Sequence, residues 1–278
     1  EIHDPPLALY VMGKLVSAEP AVAVVGTRHA THYGRECAER IAYELVQAGF
    51  MVASGLALGV DTAAHKGALK AGGRTVAVIG RGLDSIYPPE NKALAGEIAG
   101  HGAVISEFPI GREADRTTFA IRNRIVSGIS MGTVVVEAGT TSGALITARQ
   151  ALEQGRTVFA VPGRIDSPAS RGVHLLIKNG ATLVEGVQDI LDEFEFLIPR
   201  RMTSAPAAGG DLPVPKLSED EKRIMTLLAD GALDVDAVIR GSGLDAARVS
   251  SLLIGLEMKK MARMLPGRQV EGRNRSGR

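Results

Sequence analysis

One cysteine, no tryptophan and few aromatic residues of any kind define the chain first by what it withholds. With Cys37 alone, no internal disulfide can form and cysteine-based metal frameworks are excluded, which fits a reducing cytoplasm. Aromatic residues are 4% of the 278, too few for an extended base-stacking platform, so any contact with nucleic acid is expected to run through backbone and charge. The net charge of +1 gives no global basic field, and binding to a polyanion must therefore come from local clusters. No apolar run reaches membrane-spanning length, and the opening residues show no signal-peptide pattern, so no membrane partner is expected. No Walker lysine motif, H-E-x-x-H pair or cysteine cluster occurs, and neither a metal nor a cofactor is expected. What remains is an ordinary globular composition, long enough for a full core and more than one domain. The chain begins with Glu1 and not Met, so a preceding N-terminal portion is expected.

The chain is organised around Ala21 to His65. Val22–Val25 is a valine-rich run followed at once by Gly26-Thr27-Arg28, the pattern of a buried parallel strand ending in a tight loop. A helix follows from Tyr33, with Ile41, Leu45 and Val46 at helical spacing and Gly49 as its stop. A second strand over 51–53 ends in Ser54-Gly55, completing a β-α-β unit whose loops face one edge. In an open parallel sheet that edge binds ligands, because helix N-termini offer free N–H groups there. Gly26, Gly55 and Gly59 would let backbone approach an anion, and Arg28 adds a planar fork suited to phosphate. Tight turns alone would also explain the glycines; Arg28 favours a phosphate-binding crevice.

Glu1 to Glu19 reads as a proline-led extended piece on the sheet edge. Asp61 and His65 stand four apart on the helix over 60–71, and bracing by hydrogen bonds explains them better than acid–base chemistry, since no nucleophile is paired with them. Further strands are expected over 75–79, 103–106, 133–136, 157–161 and 181–184. Gly80-Arg81-Gly82 lacks the third glycine of a dinucleotide fingerprint, and Gly128-Ile129-Ser130-Met131-Gly132 has its helix and strand in the wrong order for a nucleophile elbow. Arg112, Arg116, Arg122 and Arg124 form the densest basic cluster of this part, with Arg122-Asn123-Arg124 expected to open a helix, where basic residues point to phosphate rather than to the helix dipole. The small-residue loop around Ser142 and Gly143 opens another helix and offers a second anion site. Residues 189–196 are expected to close the domain with exposed aromatics.

These segments make an α/β chain: an extended Rossmann-like, mostly parallel sheet domain over 1–198, a Pro/Ala/Gly/Ser-rich linker over 199–215, a small winged-helix-like domain over 216–270 and a disordered basic tail over 271–278. Ser218 to Glu221 is an N-cap box, and the third helix of the small domain turns only Arg248 and small residues outward. Major-groove readers present more donors than that, so protein binding or regulation suits this domain at least as well as DNA reading.

Taken together, GTR at 26–28, SGLALGVDTAAH at 54–65, GRGLDSIYPPEN at 80–91, SEFP at 106–109, FAIRNRIVSGIS at 119–130, VVEAGTTSGALITARQALEQGRTVFAVPG at 135–163 and LIKNGA at 176–181 resemble the bacterial DNA-processing protein A family, also called Smf. The resemblance spans nearly the whole sheet domain. It implies a non-enzymatic, cytoplasmic, homodimeric protein that binds and protects single-stranded DNA and loads the RecA recombinase onto it in natural transformation. It also implies an N-terminal helical domain in many members that this sequence does not contain. By position, Arg28 matches the arginine of the family's G-S-R loop after Gly26, with Thr27 in place of serine, and Arg122, Asn123 and Arg124 match its R-N-R element. Many members are basic where this chain has Ile121, a role that Arg116 and Lys92 could take over. With Ser54, Gly55, Ser142 and Gly143 these make the expected DNA-binding set. The dimer is expected at His174, Ile177 and Leu183, on the last helix and an otherwise unpaired last strand.

The rival is enzymatic. Glu137 and the loop Gly139 to Gly143 also resemble the nucleotide phosphoribohydrolases that cleave a base from a nucleoside monophosphate. Those enzymes carry P-G-G-x-G-T-x-x-E, whereas here the glutamate precedes the glycines.

Overall fold

A computed structural model describes residues 2–16, 19–194, 218–228, 233–258, 262–265 and 269–272. The chain divides into two compact units, residues 1–205 and 206–278. The linker expected over 199–215 lies outside the described residues.

The first unit is an eight-stranded sheet in the order β1-β5-β4-β3-β2-β6-β7-β8. Its strands are β1 (Tyr10–Gly13), β2 (Ala21–Val25), β3 (Met51–Ser54), β4 (Thr75–Val78), β5 (Ala103–Ser106), β6 (Gly132–Val135), β7 (Thr157–Ala160) and β8 (Thr182–Leu183). All neighbours pair in parallel except β1, which runs antiparallel along β5, so the proline-led N-terminal piece does lie on the sheet edge. The helices are α1 (His32–Gln47), α2 (Val60–Lys70), α3 (Lys92–His101), α4 (Arg116–Gly128), α5 (Gly143–Glu153), α6 (Arg171–Lys178) and α7 (Val187–Phe194). From β2 the chain winds outward through β3, β4 and β5, then returns to place β6 beside β2 and winds the other way. The junction of β2 and β6 is thus the topological switch point, where an open α/β sheet leaves a crevice beyond its carboxyl ends.

Strand alternation explains the two-sided core. Val22 and Val24 of β2 pack with Ala38, Ile41 and Leu45 of α1, while Ala21, Ala23 and Val25 face Ile125, Val126 and Ala148 on the other side. Every β2 residue is buried, as a central parallel strand requires. Each fully buried valine stabilises the fold by about 1.5–3 kcal/mol. Phe194 does not match its expected exposure: it is fully buried and packs edge-on against Phe159 at 5.5 Å, so α7 seals the core instead of ending the domain on a wet face.

The second unit contains α8 (Glu219–Leu227), β9 (Leu233–Asp234), α9 (Val235–Ser242), α10 (Ala246–Met258), β10 (Ala262–Leu265) and β11 (Gln269–Gly272). Its three strands form one antiparallel sheet, the wing of a winged helix, around Ile224, Val238, Leu253 and Leu256. The capping box read at Ser218 and Glu221 is present, with both reciprocal bonds made. The wing continues to Gly272, two residues past the expected boundary, and residues 273–278 lie outside the described residues.

Candidate nucleic-acid interface

A cleft of about 560 Å³ lies over the switch point, within the roughly 300–1,000 Å³ range of ligand sites. Four chain segments line it: the loop after β2 with Gly26, Thr27 and Arg28, the loop after β3 with Gly55 and Ala57, the inner face of α4, and the start of α5 with Ser142 and Gly143. Nine of the expected DNA-binding residues therefore meet in one place: Gly26, Thr27, Arg28, Gly55, Arg116, Arg122, Asn123, Ser142 and Gly143.

The other three do not line it. Ser54 is buried in the sheet and donates to Val24 O at 2.6 Å, so it ties β3 to β2. Lys92 is exposed at the start of α3. Arg124 is held between Asp4 at 2.9 Å and Glu107 at 2.6 Å, with a side chain only 12% exposed. Burial alone would lower its pKa, but the bonds to Glu107 and Asp4 outweigh it and raise it. Arg124 serves as an ionic strap between α4, the β5 loop and the N-terminal segment.

The helix carrying Arg122 also differs from expectation. It starts at Arg116, not Arg122, because Asp115 caps it by accepting from Thr118 N–H at 2.8 Å. Arg122 thus sits in mid-helix, three residues after Phe119 and on the same face. It is 5% exposed; Nη1 donates to Val78 O at 2.7 Å and Nε has no partner. Burial pushes its pKa down to about 10, the buried Asp61 carboxylate works upward and Arg28 downward, so it keeps its charge at neutral pH. Gly55 is what admits it, since a β-carbon there would collide with the guanidinium nitrogens. The close approach expected of Gly26 and Gly59 is likewise to the chain itself, Val60 and Glu137 O against Gly26, and the carbonyls of Thr27 and Arg28 against Gly59. Of the four glycines that line the cleft, Gly26, Gly55, Gly139 and Gly143, the last alone has open space beside it, at the N-terminus of α5 capped by Ser142.

Arg28 is exposed, and its guanidinium stands over the Phe119 ring at 4.9 Å. Phe119 in turn lies 6.1 Å from Tyr87. The aromatic poverty of the sequence hid this, because two rings suffice when topology brings them together. The signal was legible as Phe119 and Arg122 at helical spacing, once the helix start is placed at Asp115.

Asp61 and His65 are braces. Asp61 accepts from Ala57 N–H at 3.3 Å, and burial raises its pKa, with Arg122 opposing. His65 is fully buried; Thr75 Oγ1 donates its proton to Val52 O, so His65 Nδ1 donates to Thr75 Oγ1 at 2.7 Å and Nε2 is left bare. The β3 loop bends at Leu56, which is buried with φ +57°, and Asn91 Nδ2 holds that bend by donating to Leu56 O at 2.9 Å. Glu137 is 3% exposed and does not line the cleft; both its oxygens accept from Thr31. Among the described residues no cluster of three metal-ligating side chains occurs.

The first unit matches the family of DNA recombination-mediator protein A over residues 1–195, and the second matches the DprA winged helix domain over residues 206–268. The chain is similar to Protein Smf of Synechocystis, 35% identical over 98% of this chain and 76% of the relative. Its fold matches the X-ray structure of DNA processing protein A from Streptococcus pneumoniae, with 45% identity, a TM-score of 0.68 and coverage of 70% of this chain and 69% of that one. It also matches DNA processing protein A from Helicobacter pylori, whose structure concerns a single-stranded DNA binding mode, with 31% identity, a TM-score of 0.65 and coverage of 71% and 91%. With sheet unit, winged unit and relatives in agreement, the chain belongs to the DNA processing protein A family, which processes DNA in recombination.

Proposed function

We propose that the chain binds single-stranded DNA in the switch-point cleft, shields it, and loads the RecA recombinase onto it in natural transformation, as a cytoplasmic homodimer. The observation that carries the DNA assignment is Arg122, a charged guanidinium nineteen-twentieths buried, with an unpartnered Nε, lining a cleft that also presents Arg28. An arginine from the β2 loop and one from α4, the N-terminus of α5 and a pair of rings suit a phosphodiester backbone whose bases are unstacked. The H. pylori relative supports the same reading.

The start of α10 presents little free positive charge to a major groove. Arg248, the basic residue of the exposed start of α10, is paired with Asp220 at 3.1 Å. Against phosphoribohydrolase chemistry stands Glu137, whose carboxylate oxygens are both engaged by Thr31. For the dimer, β8 is the last strand of its sheet and Leu183 on it is 43% exposed, with Ile177 half-buried and His174 Nε2 donating to Gly163 O at 3.0 Å. Among the described residues no helix is long and apolar enough to cross a membrane.

A salt titration of binding to single-stranded and duplex DNA of equal length tests this. Tighter single-strand binding is expected, with log affinity falling by about 0.7 per phosphate contact for each log unit of salt. Equal or tighter duplex binding would sink the assignment, and release of free base from nucleoside monophosphates would restore the enzymatic one.

A further inference from the structure

One residue holds both ends of the loop that carries Arg28. At the first end, Thr27 N–H donates to Glu137 O at 2.7 Å. At the second, Thr31 N–H donates to Glu137 Oε2 at 2.9 Å and Thr31 Oγ1 donates to Oε1 at 2.6 Å. Thr31 is also the N-cap of α1, its oxygen accepting from Gly34 N–H at 3.1 Å. Gly34 lets the carboxylate lie against the helix, since a β-carbon there would overlap Oε2. Arg28 and His29 are exposed between the two fixed ends.

Glu137 is an expensive way to do this if stability were the only gain. It is buried, and among the described residues it forms no ion pair with Lys, Arg or His. A buried carboxylate without a cation carries a desolvation cost that no neighbouring charge offsets. What a carboxylate does supply is two short, directional, charge-assisted bonds. Here both are spent on the residue that ends the Arg28 loop.

We propose that Glu137 is a positioning residue for DNA binding: its carboxylate fixes the Thr31 end of a loop whose Thr27 end its backbone carbonyl already holds, so that Arg28 meets a phosphate in a prearranged place rather than from a mobile loop. This rests on the single-stranded DNA assignment made for the cleft. Preorganisation of this kind raises affinity by lowering the ordering cost of binding.

The test is a double-mutant cycle in the full chain, read by fluorescence anisotropy with a labelled oligonucleotide and accompanied by thermal melts. Glu137→Gln keeps an acceptor for Thr31 N–H but replaces the other oxygen with an amide, and should weaken binding roughly three- to tenfold. Its salt slope should fall toward that of Arg28→Ala, because an unheld Arg28 no longer makes its phosphate contact. In an Arg28→Ala background, Glu137→Gln should cause no further loss. If Glu137→Gln does not melt cooperatively, Thr31→Val takes its place, with Thr31→Ser expected to restore wild-type binding. Losses that add fully to that of Arg28→Ala, or an unchanged salt slope, overturn the proposal and leave Glu137 as a fold brace. Arg28→Ala with unchanged affinity overturns the cleft assignment itself, and the proposal with it.

Discussion

The guanidinium carbon of Arg28 stands 4.9 Å from the centre of the Phe119 ring, which joins the β2 loop to α4 across the mouth of the cleft. At an exposed site such a contact stabilises by about 0.5–1 kcal/mol, enough to bias where the arginine points but not enough to hold the fold. Arg28→Ala should therefore melt like the wild type while binding single-stranded DNA roughly tenfold more weakly, with a shallower salt dependence. Arg124→Ala should do the reverse. It breaks the strap to Asp4 and Glu107, so its melting temperature should fall while affinity and salt slope stay put. An Arg124 variant that binds as poorly as the Arg28 variant would put Arg124 on the DNA path.

Gly55 offers a steric test that alters no charge. The α-hydrogen that a β-carbon would replace faces the Arg122 guanidinium, so Gly55→Ala must displace that group from Val78 O. Binding should drop at least as far as in Arg122→Ala, which itself should lose stability by about 1–3 kcal/mol because Val78 O is left unpaired. Calorimetry together with anisotropy measures both. Wild-type affinity in a folded Gly55→Ala protein would remove Arg122 from the site.

His65 sets a pH dependence of stability. Burial, and then the charge of Arg122, push its pKa to about 3, against 6.5 for the free side chain. The unfolded chain therefore binds a proton that the folded chain refuses anywhere between those values. Stability is complete above pH 6.5 and falls as pH drops, by up to about 1.4 kcal/mol per unit, until the folded value is reached. Asp61, raised by burial, works in the opposite sense above its ordinary value. Denaturant melts from pH 7 to pH 5 isolate the histidine if the same series is run on His65→Gln: that variant should lose most of the slope, and an unchanged slope would assign it to other groups.

The dimer prediction concerns the open edge. Leu183→Glu adds a charge to β8, the last strand of the sheet, where desolvation across a two-fold contact would be costly. Sedimentation should show a monomer for the variant and a dimer for the wild type. A folded variant that stays dimeric moves the interface elsewhere.

Most of the fold was legible because it rests on period and punctuation. Val22 to Val25 reads as a buried strand from its apolar run, and Ser218 to Glu221 as a helix start from its capping pattern. The site was legible in its members but less in its geometry. Basic residues at Arg122 and Arg124 looked alike in sequence, yet one faces the cleft and the other is tied to two carboxylates, and only the partners Asp4 and Glu107, remote in sequence, separate them. Asp115 caps α4 well before the basic residues, so the helix starts earlier than the run Arg122-Asn123-Arg124 suggests, and only from that start do Phe119 and Arg122 fall on one face. Phe194 departs from its expected exposure for a related reason: a helix at the end of a domain reads as exposed until the strand it covers is known.

The β2–β6 pairing has a consequence in time. It joins Val22 to Gly132, more than a hundred residues apart, and the cleft draws its lining from both sides of that junction. No early fragment of the chain contains the site. During synthesis the ribosome must deliver everything through the start of α5 before the cleft has its full lining. Closing so long a loop is entropically slow, so a growing chain reaches a stage at which β2 can pair with β3 along one edge while its other edge waits for β6.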